Sequence, residues 1–296
     1  MENFQHHHHH HGEVTEKSVN LLLVSFIINI LLSVAEIIGG VVAGSISLIG
    51  DALHNTSDAF SILIAVMAFK IGRRRATAKY TYGFKRAEII GGFVNLILLF
   101  ISGCYLLVEG IGRLIAPEPI DGTIIIVVSV LALVIDIATA KISHYGAGHN
   151  TNMRMVFVHN LADAFGSLGV IVSGICVLWF GVYAVDGIIA LLIAGYMIFQ
   201  AVVSFPRIVN ILMNAVPDGI CVDEVIAEIL QIKGVKGVHH VHIWSVSEHE
   251  TSLECHVEAE NTELLEKIRE VLHCKFDIHH SNIQIEKVRC KEECEL

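Results

Sequence analysis

From residue 18 to about residue 212 the chain is built of apolar runs of twenty or more residues, separated by short polar connections; beyond Met213 such runs stop. About 20 apolar residues suffice to cross a bilayer core as a helix. The pattern therefore predicts six membrane helices, at roughly Ser18–Val42, Ser47–Gly72, Ala87–Ile115, Thr123–Ser143, Val156–Val182 and Val185–Leu212. The remaining 84 residues carry shorter periods. Val222–Ile232 and Thr262–Cys274 have helical spacing, while Val238–Val246, Thr251–Glu258 and Asn282–Arg289 alternate as strands do. The expected fold is an α-helical membrane protein of six transmembrane helices with a C-terminal α+β domain in the order αββαβ. Helices on one face of a small sheet would cover it, and so small a core favours pairing with a second copy. The expected division is a tail over 1–17, a membrane domain over 18–212 and a soluble domain over 213–296.

Within the apolar runs, two stretches break the pattern in the same way. HNTSDAF begins at His54 and HNLADAF at His159, and five of seven positions agree. Residues four apart share a helix face, so His54 pairs with Asp58 and His159 with Asp163. Ionisable groups inside a membrane are costly and face a bundle interior or a water-filled path. Two such pairs turned toward each other offer two imidazole nitrogens and two carboxylate oxygens, a tetrahedral set suited to zinc. A single pair would serve equally well to tie helices together; the repeat, with its shared Asn and DAF, argues against that. Asp51 and Ser61 extend the first pair into a polar stripe. The other polar membrane residues, Asn29, Glu36, Asn95, Glu109, Asp136 and Asp186, are expected to tie helices, with Asn29 and Asp136 also candidates to line the path.

Composition and charge add orientation. The chain is 53% hydrophobic with a mean hydropathy of +0.62, outside the range of ordinary soluble domains. The connection RRRATAKYTYGFKR holds six Lys or Arg, whereas GSIS, APEPIDG and GVYAVDG hold none. Positive charge marks the cytosolic side, so both termini and the soluble domain are expected in the cytosol. Residues 213–296 hold 17 Asp or Glu against 8 Lys or Arg, a net of −9, which excludes a nucleic-acid partner. This tail also holds five of the seven cysteines, expected to be free or metal-bound rather than paired. His6–His11 reads as a loose metal-gathering tract, although a purification tag would look the same.

The stretches SLIGDALHNTSD, YTYGFKRAEIIGGFVN, VHNLADAFGSLGV and VHHVHIWSV, in this order over nearly the whole chain, resemble the cation diffusion facilitators, and in particular the zinc-exporting branch with paired HxxxD motifs. The resemblance implies a ferredoxin-like, metallochaperone-like αββαβ domain in the cytosol, a homodimer, and exchange of a divalent metal for protons. It makes His54, Asp58, His159 and Asp163 the transport site. Zinc leads because members selecting manganese tend to replace the histidines with aspartates; a broader exporter of Cd2+, Co2+ or Fe2+ is the alternative. In the cytosolic domain the family pattern points to one histidine of VHHVH, for which His239 is favoured over His240 and His242, with His256 and Glu286. Cys290 and Cys294 resemble a terminal cysteine pair of vesicular zinc transporters, at a wider CxxxC spacing. Zinc is thus expected both as substrate and as a regulatory ligand, with no other cofactor. The connection Arg73–Arg86 lacks His, Asp, Glu and Cys, so a further metal site found there in some bacterial members is expected to be missing.

Proton exchange also follows from ligand chemistry, because metal and protons compete for the same groups. No P-loop motif offers an ATP-driven alternative. Two other functions use the same residues: an intramembrane metalloenzyme, which needs an open coordination position and lacks an HExxH motif here, and a metal sensor anchored by its helices, which would not need two His–Asp pairs. The expectation is a transporter and not an enzyme, embedded in lipid, in a bacterial cell membrane.

Overall fold

A computed structural model describes residues 16–72, 74, 76–146, 151–247 and 250–287. His6–His11, Cys290 and Cys294 lie outside the described residues. Six long helices come first: α1 (Glu16–Ala43), α2 (Ile46–Gly72), α3 (Ala87–Ile115), α4 (Gly122–Gly146), α5 (Thr151–Phe180) and α6 (Ala184–Leu212). The rest forms α7 (Val222–Leu230), β1 (Val235–Ser247), β2 (Glu250–Ala259), α8 (Leu264–Phe276) and β3 (His280–Glu286). Five of the six long helices are long and apolar enough to cross a membrane; α2, which carries Asp51, His54 and Asp58, is the sixth. Their outward faces expose large apolar side chains such as Val41, Val108 and Leu192, as helices solvated by lipid do.

The chain forms two compact units. One comprises the described part of Met1–Met67 with Ile97–Ala201. Here α4 and α5 come together through glycines: a Cβ on Gly122 would stand 2.6 Å from the carbonyl oxygen of Gly174, so no other residue allows this approach. The start of α2 is fixed from α6. Asp186 accepts hydrogen bonds from Ser45 Oγ (2.6 Å), Ser47 Oγ (2.5 Å) and the backbone N–H of Ile46 (2.8 Å). The Ile46 N–H is one of the donors that a helix N-terminus leaves without partners, and a carboxylate there also meets the positive end of the helix dipole. Asp186 ties two helices, as expected, and thereby sets the height of everything α2 carries.

The other unit comprises Ala68–Leu96 with the described part of Val202–Leu296. Its three-stranded sheet has the order β1-β2-β3, with β1 antiparallel and β3 parallel to β2. Val225 and Ile229 of α7 and Ile268 and Leu272 of α8 pack with Val241, Ile243, Leu253 and Val257 on one sheet face. This is the expected αββαβ domain, with one departure. Strict alternation places His240 and His242 together, but β1 carries a bulge: His239 pairs with His256 and His242 with Glu254, leaving one extra residue. That residue is His240, whose φ is +52°. The bulge lets Val238 and Val241, three apart, both contribute to the core. His239 is thus turned to the opposite face, directly across from His256.

Candidate metal centres

In the first unit, α2 presents His54 and Asp58 one turn apart, and α5 presents His159 and Asp163 likewise. The four come together. His54 Nε2 lies 3.2 Å from Asp163 Oδ1 and 3.6 Å from Asp58 Oδ2, and His159 Nε2 lies 3.4 Å from Asp58 Oδ2 and 3.6 Å from Asp163 Oδ2. Nitrogen and oxygen alternate around a closed ring. Ligands about 2.0–2.1 Å from a tetrahedral zinc are about 3.3 Å apart; His54, Asp58 and Asp163 offer ligand atoms that all lie within 4.8 Å of one another, while His159 approaches the two carboxylates from outside that closest group. His54 and Asp163 are buried, whereas the side chain of His159 is 37% exposed. Asp58 Oδ2, which both imidazoles approach, is buried without a hydrogen-bond partner among the described residues, as is Nδ1, the other ring nitrogen of His54.

Around this ring the structure places residues that the repeat did not flag. The Tyr196 ring stands edge-on to His54, 5.5 Å between centroids. Glu36 of α1, fully buried, accepts from Asn55 Nδ2 at 3.0 and 3.2 Å. Ser167 Oγ lies 3.0 Å from Asp51 Oδ2 and 3.0 Å from Asp136 Oδ2, and all three residues are buried. A hydroxyl carries one hydrogen and donates to one carboxylate only. Asp136 therefore does more than tie two helices: it brings a second carboxyl to a single donor beside the ring. Only the assembled helices show this, because Asp136 stands alone in an apolar run.

The second unit holds a second group. His239 Nε2 is 3.4 Å from Glu286 Oε2, and His256 Nδ1 is 3.1 Å from Glu286 Oε1. The ligand atoms of these three lie within 4.8 Å of one another. His239 is buried, and both its nitrogens, His256 Nδ1 and Glu286 Oε2 lack hydrogen-bond partners among the described residues. Glu258 Oε1 approaches His239 Nδ1 at 3.8 Å. Glu286 reaches the group because β3 runs parallel to β2, in register with Glu258. His242 is exposed, and the His240 ring stacks 4.7 Å from that of His256. Cys255 faces the core, and burial, then the charge of Glu254, push its thiol up to about 12; such a thiol is no ligand at neutral pH. The proposed terminal ligands Cys290 and Cys294 lie outside the described residues.

Comparison with known proteins adds the following. The family model of the cation efflux transmembrane domain matches residues 22–213, and that of the cation efflux protein cytoplasmic domain matches 217–288. The metal cation efflux system protein CzcD of Cupriavidus metallidurans is 34% identical over 264 residues, covering 88% of this chain and 84% of that one. The zinc transporter ZitB of Pectobacterium atrosepticum is 30% identical, covering 92% and 87%. A cadmium, cobalt and zinc/H(+)-K(+) antiporter of Bacillus subtilis is 31% identical, covering 90% and 88%. Among solved structures, the metal-bound C-terminal domain of a CzcD transporter is 36% identical, with a TM-score of 0.22, and covers 23% of this chain and 99% of that one.

Proposed function

The chain belongs to the cation efflux family, matched over its membrane and cytoplasmic parts alike, and from that premise we propose that it exports zinc from the cytosol in exchange for protons. The observation that carries this reading is the ring of alternating imidazole and carboxylate groups at 3.2–3.6 Å in the membrane unit. His54, Asp58, His159 and Asp163 bind the ion as cargo. Imidazole supplies the preference for zinc over manganese. The four ligands fill a tetrahedral ion, which leaves no coordination position for chemistry on a substrate.

Protons enter through the same groups. A metal ligand must be deprotonated, so each imidazole that takes a proton gives up its hold on zinc. Opening of the ring alternately to the two faces then couples the flows, with His159, the most exposed member, on the open side. The Asp51–Ser167–Asp136 contact supports the proton arm. With one hydroxyl hydrogen between two carboxyls, the second contact is a hydrogen bond only when one carboxyl carries its own proton.

In the cytosolic domain, His239, His256 and Glu286 form a regulatory zinc site, to which Cys290 and Cys294 add ligands. Both termini lie in the cytosol of a bacterial cell, and two copies pair through this domain. The divisions at 17 and 212 separate tail, transport domain and regulatory domain. A broader cargo range including cadmium and cobalt is favoured by one observation, the breadth printed in the name of the Bacillus relative.

Purified protein in liposomes tests the reading. An outward-directed zinc flux should appear when a pH gradient is imposed and should collapse with a protonophore. Zinc movement that ignores the gradient would sink the proton arm; no zinc movement would sink the whole.

A further inference from the structure

The second unit encloses a cavity of about 510 Å³ that neither metal centre uses. One wall is the α2–α3 connection, with Arg74, Tyr82 and Lys85; the other is the sheet, with Glu250 and Ser252 of β2 and His280 of β3. Donors outnumber acceptors. Lys85 is paired with Glu250, which occupies the one lining carboxylate among the described residues. Arg74 has no ion-pair partner among the described residues. Ser252 is a lining residue but is itself buried, 1% exposed, and its hydroxyl has no hydrogen-bond partner among the described residues. The Tyr82 and His280 rings meet edge-on at 6.0 Å and bring two more polar groups to the same space.

We propose that this cavity binds the phosphate-bearing headgroup of an anionic glycerophospholipid. Arginine, lysine and hydroxyl donors around one space are the chemistry of phosphate recognition. The volume exceeds what a bare phosphate fills and suits a headgroup with its glycerol. The connection is also in the right place. It joins the ends of two membrane helices, Gly72 and Ala87, so a headgroup reaches it without leaving its leaflet, and basic pockets at that level bind anionic headgroups. A bound phosphate competes with Glu250 for Lys85, so the lipid loosens one link between connection and sheet while giving Arg74 a partner.

The full-length protein in detergent provides the test. Melting temperature is measured with added phosphatidylglycerol, phosphatidylcholine or inorganic phosphate. Phosphatidylglycerol should raise it by a few degrees and the other two should not. Arg74→Gln and Lys85→Gln should each lose most of that rise. Lys79→Gln, which removes a cation of the same connection outside the cavity, should keep it. Native mass spectrometry of the parental protein gives an independent readout and should show retention of phosphatidylglycerol over phosphatidylcholine. Equal effects of the two lipids overturn the proposal, as does equal loss in Lys79→Gln and Arg74→Gln. A rise with inorganic phosphate alone assigns the cavity to a soluble phosphoryl compound and overturns the lipid.

Discussion

Asp163 stands between two imidazoles, one on its own helix and one on α2, at 3.6 and 3.2 Å. Its removal breaks the ring at its most shared point. Asp163→Ala should lower zinc flux in liposomes by about a hundredfold or more, since loss even of a supporting partner costs about 10–100-fold; parental flux would end the assignment. His54→Asp should widen cargo toward manganese, because it makes the ring richer in oxygen, and competition between the two metals measures it. Cys255 provides a pH test. Its folded thiol, at about 12 against an ordinary 9.0, favours the neutral form. The stability it contributes is fully present below pH 9 and is lost as pH rises through about 12. At pH 8 an alkylating reagent should label the exposed Cys221 and Cys274 and spare Cys255 until the domain unfolds. At this scale the four ring residues were legible because HNxxDAF occurs twice. Asp136 was not, because its meaning depends on one serine hydroxyl of another helix.

Among the elements, α2 owes its working position to a single residue. Asp186 satisfies three donors at the start of α2 within 2.5–2.8 Å. Asp186→Ala should destabilise the protein by about 3 kcal/mol, as orphaned buried donors cost about 1–3 kcal/mol each, and should slow transport through displacement of His54 and Asp58; a melting curve alongside a flux assay reads both. The bulge on β1 is a single residue. Without His240, Val241 pairs directly with Cys255, and Val238, Val241 and Ile243 still face the core while His239 and His242 face the other way. The deletion should therefore preserve zinc binding by the cytosolic group and its melting temperature, as should His240→Gly, which tolerates the positive φ; loss of zinc binding on deletion would show that the bulge itself aims His239. The six long helices were legible from run length and the strands from alternation. The bulge was written in the sequence too, as two core valines three positions apart, which a flat strand cannot bury together; period-two reading passed over it.

At the scale of the whole molecule, the proposed function gives two centres one ion in different roles. Zinc bound at His239, His256 and Glu286 adds +2 to a tail of net charge −9 and draws sheet strands together. Added zinc should raise the melting temperature of the full-length protein by mass action, and His256→Ala should lose the part of that rise due to this group. Flux through His256→Ala should survive and need more zinc to start; an unchanged zinc response would make these histidines ordinary surface residues. The alternating ring has one more consequence, an electrical one. Two imidazolium and two carboxylate groups sum to zero, and so do two neutral imidazoles, two carboxylates and a zinc ion. The bare ring with neither cargo would hold two uncompensated negative charges out of water, a state that burial makes prohibitive. On the proposed exchange, therefore, zinc and a pair of protons relieve each other without the ring ever standing vacant. Uncoupled leakage is suppressed by electrostatics alone, and turnover of the transport site should leave the membrane voltage undisturbed.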